Sequence, residues 1–180
     1  MKKLWIISLA AVLTVAFTAC GAGDVTTSSQ GSSKTASSQT TSSQTASSGV
    51  AVKASSVSDD LAGLEKYLAG NASVTGTAES MRSAMIGAKA GVRYKYGYSG
   101  KDNVSLELYE FDPNSLNSTA QKVVSDVKST GKFTVIGQQV NAVLSKSGKY
   151  LMIYKNSAND DANKAYGERL KELFTGFKAQ

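Results

Sequence analysis

Between Thr26 and Ser56 the chain consists almost wholly of Ser, Thr, Gln, Ala and Gly. A loose five-residue repeat runs through Thr26–Gln30, Thr35–Gln39, Thr40–Gln44 and Thr45–Gly49. A stretch of this composition cannot bury enough apolar surface to offset the cost of ordering its backbone, about 1–2 kcal/mol per residue. Whatever folds must therefore come from the remainder, chiefly Ser58 to Gln180. A segment of roughly 120 residues can bury about two-thirds of its unfolded surface in one core. The polar tract itself reads as a flexible tether. As a random coil, residues 20–57 would span about 35 Å root-mean-square, and fully stretched they would exceed about 100 Å.

Ahead of the tract, Lys2 and Lys3 precede a run from Leu4 to Ala19 that is apolar apart from Ser8, Thr14 and Thr18. The run is short for a permanent transmembrane helix and suits the core of a secretory signal. It ends in Phe17-Thr18-Ala19-Cys20-Gly21, and Cys20 is the only cysteine in the chain. This segment resembles the lipobox of bacterial lipoproteins, with Phe17 standing where that pattern usually has leucine. The resemblance implies a signal peptide over residues 1–19, cleavage before Cys20, and a thioether-linked diacylglycerol on the Cys20 sulfur. It also implies residence at the cell membrane on the extracytoplasmic face. Two or more acyl chains hold a protein far more firmly than one, at about 0.8 kcal/mol per buried methylene.

The expected organisation is a signal peptide at 1–19, a lipidated N-terminus and tether at 20–57, and a single globular domain at 58–180. Asp59 and Asp60 follow Ser58 as a helix start, and Leu61, Leu64 and Leu68 recur at helical spacing. A second short helix is expected from about Thr77 to Ile86, with Met81, Ala84 and Met85 on one side. The period then becomes two: Val92, Tyr94, Tyr96 and Tyr98 alternate with Arg93, Lys95 and Gly97. Residues 99–103 form a turn, and Val104 to Phe111 returns as a strand. Asp112-Pro113-Asn114 breaks that strand. A helix follows with Leu116, Ala120, Val123, Val124 and Val127 facing inward and Gly131 ending it.

Phe133–Ile136, Val140–Lys146 and Lys149–Lys155 read as three further strands, the last two joined at Ser147-Gly148. A final helix, about Asn159 to Phe177, carries Ala162, Ala165, Tyr166, Leu170, Leu173, Phe174 and Phe177 on one stripe. The expected fold class is α+β: a small antiparallel sheet of about five strands with about four helices, in the order ααββαβββα. A faint hairpin–helix echo links Ser99-Gly100-Lys101 to Ser147-Gly148-Lys149.

The formal charge is +6 for the whole chain and +3 from Ser58 onward, where 16 basic residues face 13 acidic ones. The excess is scattered, which speaks against nucleic-acid binding. The chain has no histidine, so Ser-His and Cys-His pairs and the commonest zinc ligands are unavailable. Ser125 and Lys128 match a bare S-x-x-K spacing without the companion motifs of penicillin-binding enzymes. Glu107 and Glu110 are three apart on a strand and point to opposite faces, unlike a glycosidase pair. Asn159, Asp160, Asp161 and Asn163 fit a capped helix start better than a calcium loop. No catalytic residue, metal ligand or cofactor is expected.

The remaining candidates for a binding surface are two tyrosine rows: Tyr94, Tyr96 and Tyr98, and Tyr150 with Tyr154. Exposed, they would make a stacking platform for glycan or peptide; covered, they would pack under helices with their hydroxyls at the rim. The expectation is a membrane-anchored binding module whose partner is an envelope protein or cell-wall polymer. Its rivals are an enzyme using carboxylate or Ser/Lys chemistry on surface polymers, and a small-solute-binding lipoprotein.

Overall fold

The computed structural model describes residues 51–179. The signal segment 1–19, Cys20 and the tether up to residue 50 lie outside the described residues. Among the described residues there are three α-helices, α1 (Leu61–Ala72), α2 (Ser118–Thr130) and α3 (Asp161–Gly176). Seven strands accompany them: β1 (Glu79–Ser80), β2 (Ala90–Tyr96), β3 (Val104–Glu110), β4 (Lys132–Val135), β5 (Gln138–Asn141), β6 (Val143–Leu144) and β7 (Tyr150–Asn156). The fold is α+β. One antiparallel sheet has the order β1-β2-β3-β7-β6, and β4–β5 is a separate two-stranded ribbon.

Each helix starts where a short polar side chain supplies the first acceptor. Asp60 accepts from the Gly63 N–H at 2.7 Å, Asn117 from Ala120 at 2.9 Å, and Asp160 from Asn163 at 3.1 Å. Gly131 closes α2 in the left-handed region, as the sequence suggested. The β2–β3 hairpin is secured by Asn103, whose side chain accepts from the Tyr98 N–H and donates to the Tyr98 carbonyl. A carboxamide here replaces a strand neighbour's backbone.

Strict alternation in the strands gives the sheet two apolar faces. On the first, Tyr96, Val104, Leu106, Leu108, Tyr150 and Met152 meet Leu61, Leu64 and Leu68 of α1 and Tyr166, Leu170 and Phe174 of α3. On the second, Tyr109, Leu151 and Ile153 meet Ala120, Val123, Val124 and Val127 of α2, with Phe133 of the ribbon. Every buried side-chain polar atom among the described residues has a hydrogen-bond partner.

Several expectations shift. The helix expected over Thr77–Ile86 is instead β1 followed by a 3-10 turn, Ser83–Ile86. Glu79 and Ser80 pair with Arg93 and Val92, and sheet hydrogen bonding outweighs a weak local helix signal. The strand expected over Val140–Lys146 divides at Ala142. Its first half pairs with β4 and its second with β7, because the buried Ala142 turns the chain from one sheet to the other. Ala162 and Ala165 are exposed, because the α3 stripe is centred on Leu170. Residues Val52 to Val57, placed in the tether by composition, lie against the domain: the Val52 carbonyl accepts from Asn71 at 2.8 Å and the Val57 carbonyl from Lys178 at 2.7 Å. The hairpin–helix echo survives as an order of elements only, since α2 and α3 cover opposite faces of the sheet.

Candidate functional site

Both tyrosine rows point to the face covered by α1 and α3. Tyr96 and Tyr150 are buried, and Tyr94, Tyr98 and Tyr154 are half-buried and packed against the same core. The Tyr96 hydroxyl lies 2.6 Å from that of Tyr166, and the Tyr98 ring stacks on Tyr166 at 3.8 Å between centroids. Tyr150 donates to Asp59 at 2.7 Å, and Tyr94 donates to Glu65. Tyr154 accepts from Asn156 at 3.0 Å. Burial pushes the phenols of Tyr94, Tyr96, Tyr150 and Tyr154 up, and that of Tyr166 up to about 12. Tyr96, Tyr98 and Tyr154 gather around Tyr166; Tyr94 and Tyr150 stand apart from them. Tyr96 and Tyr150 are sealed between sheet and helices, while Tyr94, Tyr98 and Tyr154 keep part of their rings exposed at the rim.

Ser125 and Lys128 are both exposed on α2. Asp160 caps α3, and Asn163 is buried in a carboxamide network with Asn103 and Asn156. Glu107 and Glu110 do point to opposite faces. Glu110 accepts from the Leu61 N–H at 3.0 Å and from Lys89 at 3.3 Å. Glu107 accepts from the Arg93 guanidinium at 2.8 Å and from the Tyr109 hydroxyl at 2.8 Å. The same pairing holds the Arg93 guanidinium above its usual range and, after burial, raises Tyr109. Carboxylates so fully engaged have little capacity left for acid–base work. Among the described residues no cluster of three His, Cys, Asp or Glu side chains is placed to hold a metal ion.

Of the several cavities among the described residues, two adjoin side chains named above. The first, about 530 Å³, lies beside α3 and the β7 edge and is lined by Tyr154, Asn156, Asn163, Lys164, Glu168 and Lys171. Two of its polar groups, Asn156 and Asn163, already bond to each other and to Asn103.

The second, about 270 Å³, is a groove on the other face of the sheet. The Arg93–Glu107–Ile153 row, matched in register across β2, β3 and β7, lines its base, with Ile153 buried in the second core. Met81 and Met85 wall the groove on one side, and Val135, Ile136 and Val140 wall it on the other. Met85 and Ile136 are the exposed large hydrophobic residues among the described ones, at 46% and 80%, and both line this groove.

Ile136 has a second peculiarity. It and Gly137 form the two-residue loop of the β4–β5 ribbon, with φ of 47° and 72°. This type I′ geometry ordinarily calls for Asn, Asp or Gly at the first position. A β-branched residue there is strained, and an exposed one gains little from packing. The sequence marked neither Met85 nor Ile136 as a binding residue: each falls in a segment that reads as ordinary amphipathic structure. The available signal was Ile136-Gly137 between two short alternating runs, a turn with isoleucine in the asparagine position.

No helix among the described residues is long and apolar enough to cross a membrane. No protein-family model, curated protein or solved structure matches this chain.

Proposed function

We propose that this chain is an extracytoplasmic lipoprotein, anchored through Cys20, whose α+β domain binds a component of the cell envelope through the groove between Met85 and Ile136. The observation that carries the reading is that these two exposed large hydrophobics flank the same concavity. One of them occupies a backbone position that disfavours it. Strain of this kind costs about 1–3 kcal/mol and concentrates at binding sites, where its retention serves contact. Methionine suits such a wall because its unbranched thioether adapts to a partner's shape. The lipobox-like segment supports the placement, and the polar tract supplies the reach.

The test has two arms on the full chain. Cys20→Ala should abolish incorporation of labelled fatty acid and release the chain from the membrane fraction; unchanged fractionation would sink the anchor. Chemical cross-linking on intact cells should give a discrete adduct that Met85→Asp and Ile136→Asp each remove. An identical adduct pattern in all three chains would sink the groove.

The 530 Å³ cavity beside Tyr154 favours a second reading, small-solute binding, because its size falls within the range of small-molecule sites. A thermal-shift screen separates the two, since a solute at 100 times its dissociation constant adds about 2.7 kcal/mol.

A further inference from the structure

We infer that the outer edge of β7, from Tyr154 to Asn156, docks an extended segment of a partner protein, which joins the sheet there as a further strand. This surface shares no lining residue with the Met85–Ile136 groove and does not depend on it. β7 is seven residues long, but its outer neighbour β6 has only two, Val143 and Leu144, which pair with Met152 and Leu151. At Ala142 the chain leaves the sheet, its N–H bonding to the Gly131 carbonyl. Beyond Met152 the outer edge of β7 has no strand on it.

Strand geometry decides which backbone groups that leaves free. In an antiparallel ladder, successive residues turn their N–H and C=O groups to opposite sides. Lys149 bonds to Phe111 and Ser157 to Asn103, both on the β3 side, while Tyr150 bonds outward to Ser145. The odd-numbered residues of β7 thus bond to β3, and the N–H and C=O groups of Tyr154 and Asn156 face outward. None of these four groups has a partner among the described residues. The 530 Å³ cavity lies against this same stretch, under α3. At the sheet's other edge, β1 pairs with β2 and Gly76 packs against the Lys95 carbonyl. A bare strand edge is a template for another strand.

The four free groups choose the occupant. They form two donor–acceptor sets about 7 Å apart, at about 3.3 Å of rise per residue. Another extended backbone repeats its own groups at that interval, so three of its residues can bond all four. A helix has spent its backbone groups internally and would leave them unmet. A second copy of β7 does not fit. Antiparallel pairing of its Asn156 with Tyr154 would set its Ala158 opposite Met152, where Val143 already sits. Side chains then set a preference. A residue opposite Tyr154 points to the same face of the sheet, the one covered by α3. Lys164, Glu168 and Lys171 of α3 border the cavity there, two cations against one anion. Lys171 is exposed and forms no ion pair among the described residues. The segment therefore carries an acidic residue in preference to a basic one at that position.

Two measurements on the full chain test this. Amide hydrogen exchange at single-residue resolution, in detergent micelles, should find Tyr154 and Asn156 unprotected and Ile153 and Lys155 protected. Protection of all four would mean that the edge is already covered, and would overturn the site. Photo-reactive benzoylphenylalanine at residue 171, with Ser125 on α2 as the control position, is then irradiated in the chain's own membrane, and adducts are identified by mass spectrometry. The expected result is one protein segment captured from 171 and not from 125. As a synthetic peptide, that segment should lose at least roughly tenfold in affinity when single N-methyl groups are placed on alternate residues, and keep it when they are placed on the residues between. Lys171→Glu should weaken the same peptide. Equal losses at consecutive positions would overturn strand addition. So would an adduct to lipid, to glycopolymer, to residues 21–50 of this chain or to a second copy, or no adduct from 171. None of these outcomes bears on the Met85–Ile136 groove.

Discussion

Replacing Ile136 with asparagine should make the domain more stable while weakening its hold on a partner. The backbone at this position has φ 47°, a region that costs an ordinary L-residue about 1–2 kcal/mol and that Asn tolerates through local hydrogen bonding. Little is lost in exchange. Full burial of an isoleucine is worth about 1.5–3 kcal/mol; at 80% exposure, roughly a fifth of that, about 0.3–0.6 kcal/mol, is at stake. The net gain is about 1 kcal/mol. With a urea m-value of about 1–3 kcal/mol/M, the unfolding midpoint should rise by about 0.3–1 M. Urea unfolding followed by far-ultraviolet circular dichroism measures this directly. Ile136→Ala provides an internal check, because it removes the β-branch but keeps a Cβ in the left-handed region, and it should fall between the two. If Ile136→Asn leaves the midpoint unchanged or lowers it, Ile136 is not strained and the argument that it is retained for contact fails.

Glu110→Ala should be among the costlier single changes. The carboxylate is 5% exposed, ties the first N–H of α1 to the sheet and faces Lys89 and Lys149, and breaking such a buried arrangement costs about 3–5 kcal/mol. Equilibrium denaturation reads the loss, and a change under about 1 kcal/mol would contradict the assignment. Gly87→Ala should also destabilise the fold by well over 1 kcal/mol, because φ is 73° and a Cβ would stand 2.5 Å from Asn117 Oδ1 and 2.6 Å from the Ala120 nitrogen. The same change at Gly137, at φ 72° with nothing within 4 Å, should cost only the local strain, so equal losses would argue against tight packing at Gly87. At high pH, ionisation of six of the phenols, followed by tyrosinate absorbance, should accompany unfolding. Six phenols are raised in the fold, so their contribution is intact below about pH 10 and is lost as the unfolded chain ionises above it. At low pH, Asp59, Asp60 and Asp160 are held below the usual carboxylate range by hydrogen bonds, so stability present above about pH 4 should fall as pH drops through their folded values. A flat stability profile between pH 5 and about 2 would refute this.

How much of the molecule was legible in the sequence depended on the range of the interactions involved. The period-two run through Tyr94 and Tyr96, the helical spacing of Leu61, Leu64 and Leu68, and the Gly131 stop are local signals, and they became β2, α1 and the end of α2. Cap residues and turn glycines act within four or five residues, so their effects can be read without knowing what lies across the core. For the same reason the α+β class and the antiparallel hairpins were accessible from spacing alone.

Tertiary packing decided the rest. Both rows of tyrosines were visible as rows, but whether they meet water or a helix depended on α1 and α3, which are distant in sequence and settle on the same face of the sheet. The strand around Ala142 divided because β4 and β7 compete for its two halves, and neither partner is a sequence neighbour of both. The groove has no sequence signature of its own. It lies between the β4–β5 ribbon and the turn that holds Met85, and it joins Met85 to Ile136 across more than fifty residues of chain. Local preference sets which residues alternate and where helices stop; only the closing of one element over another determines which surfaces are left open.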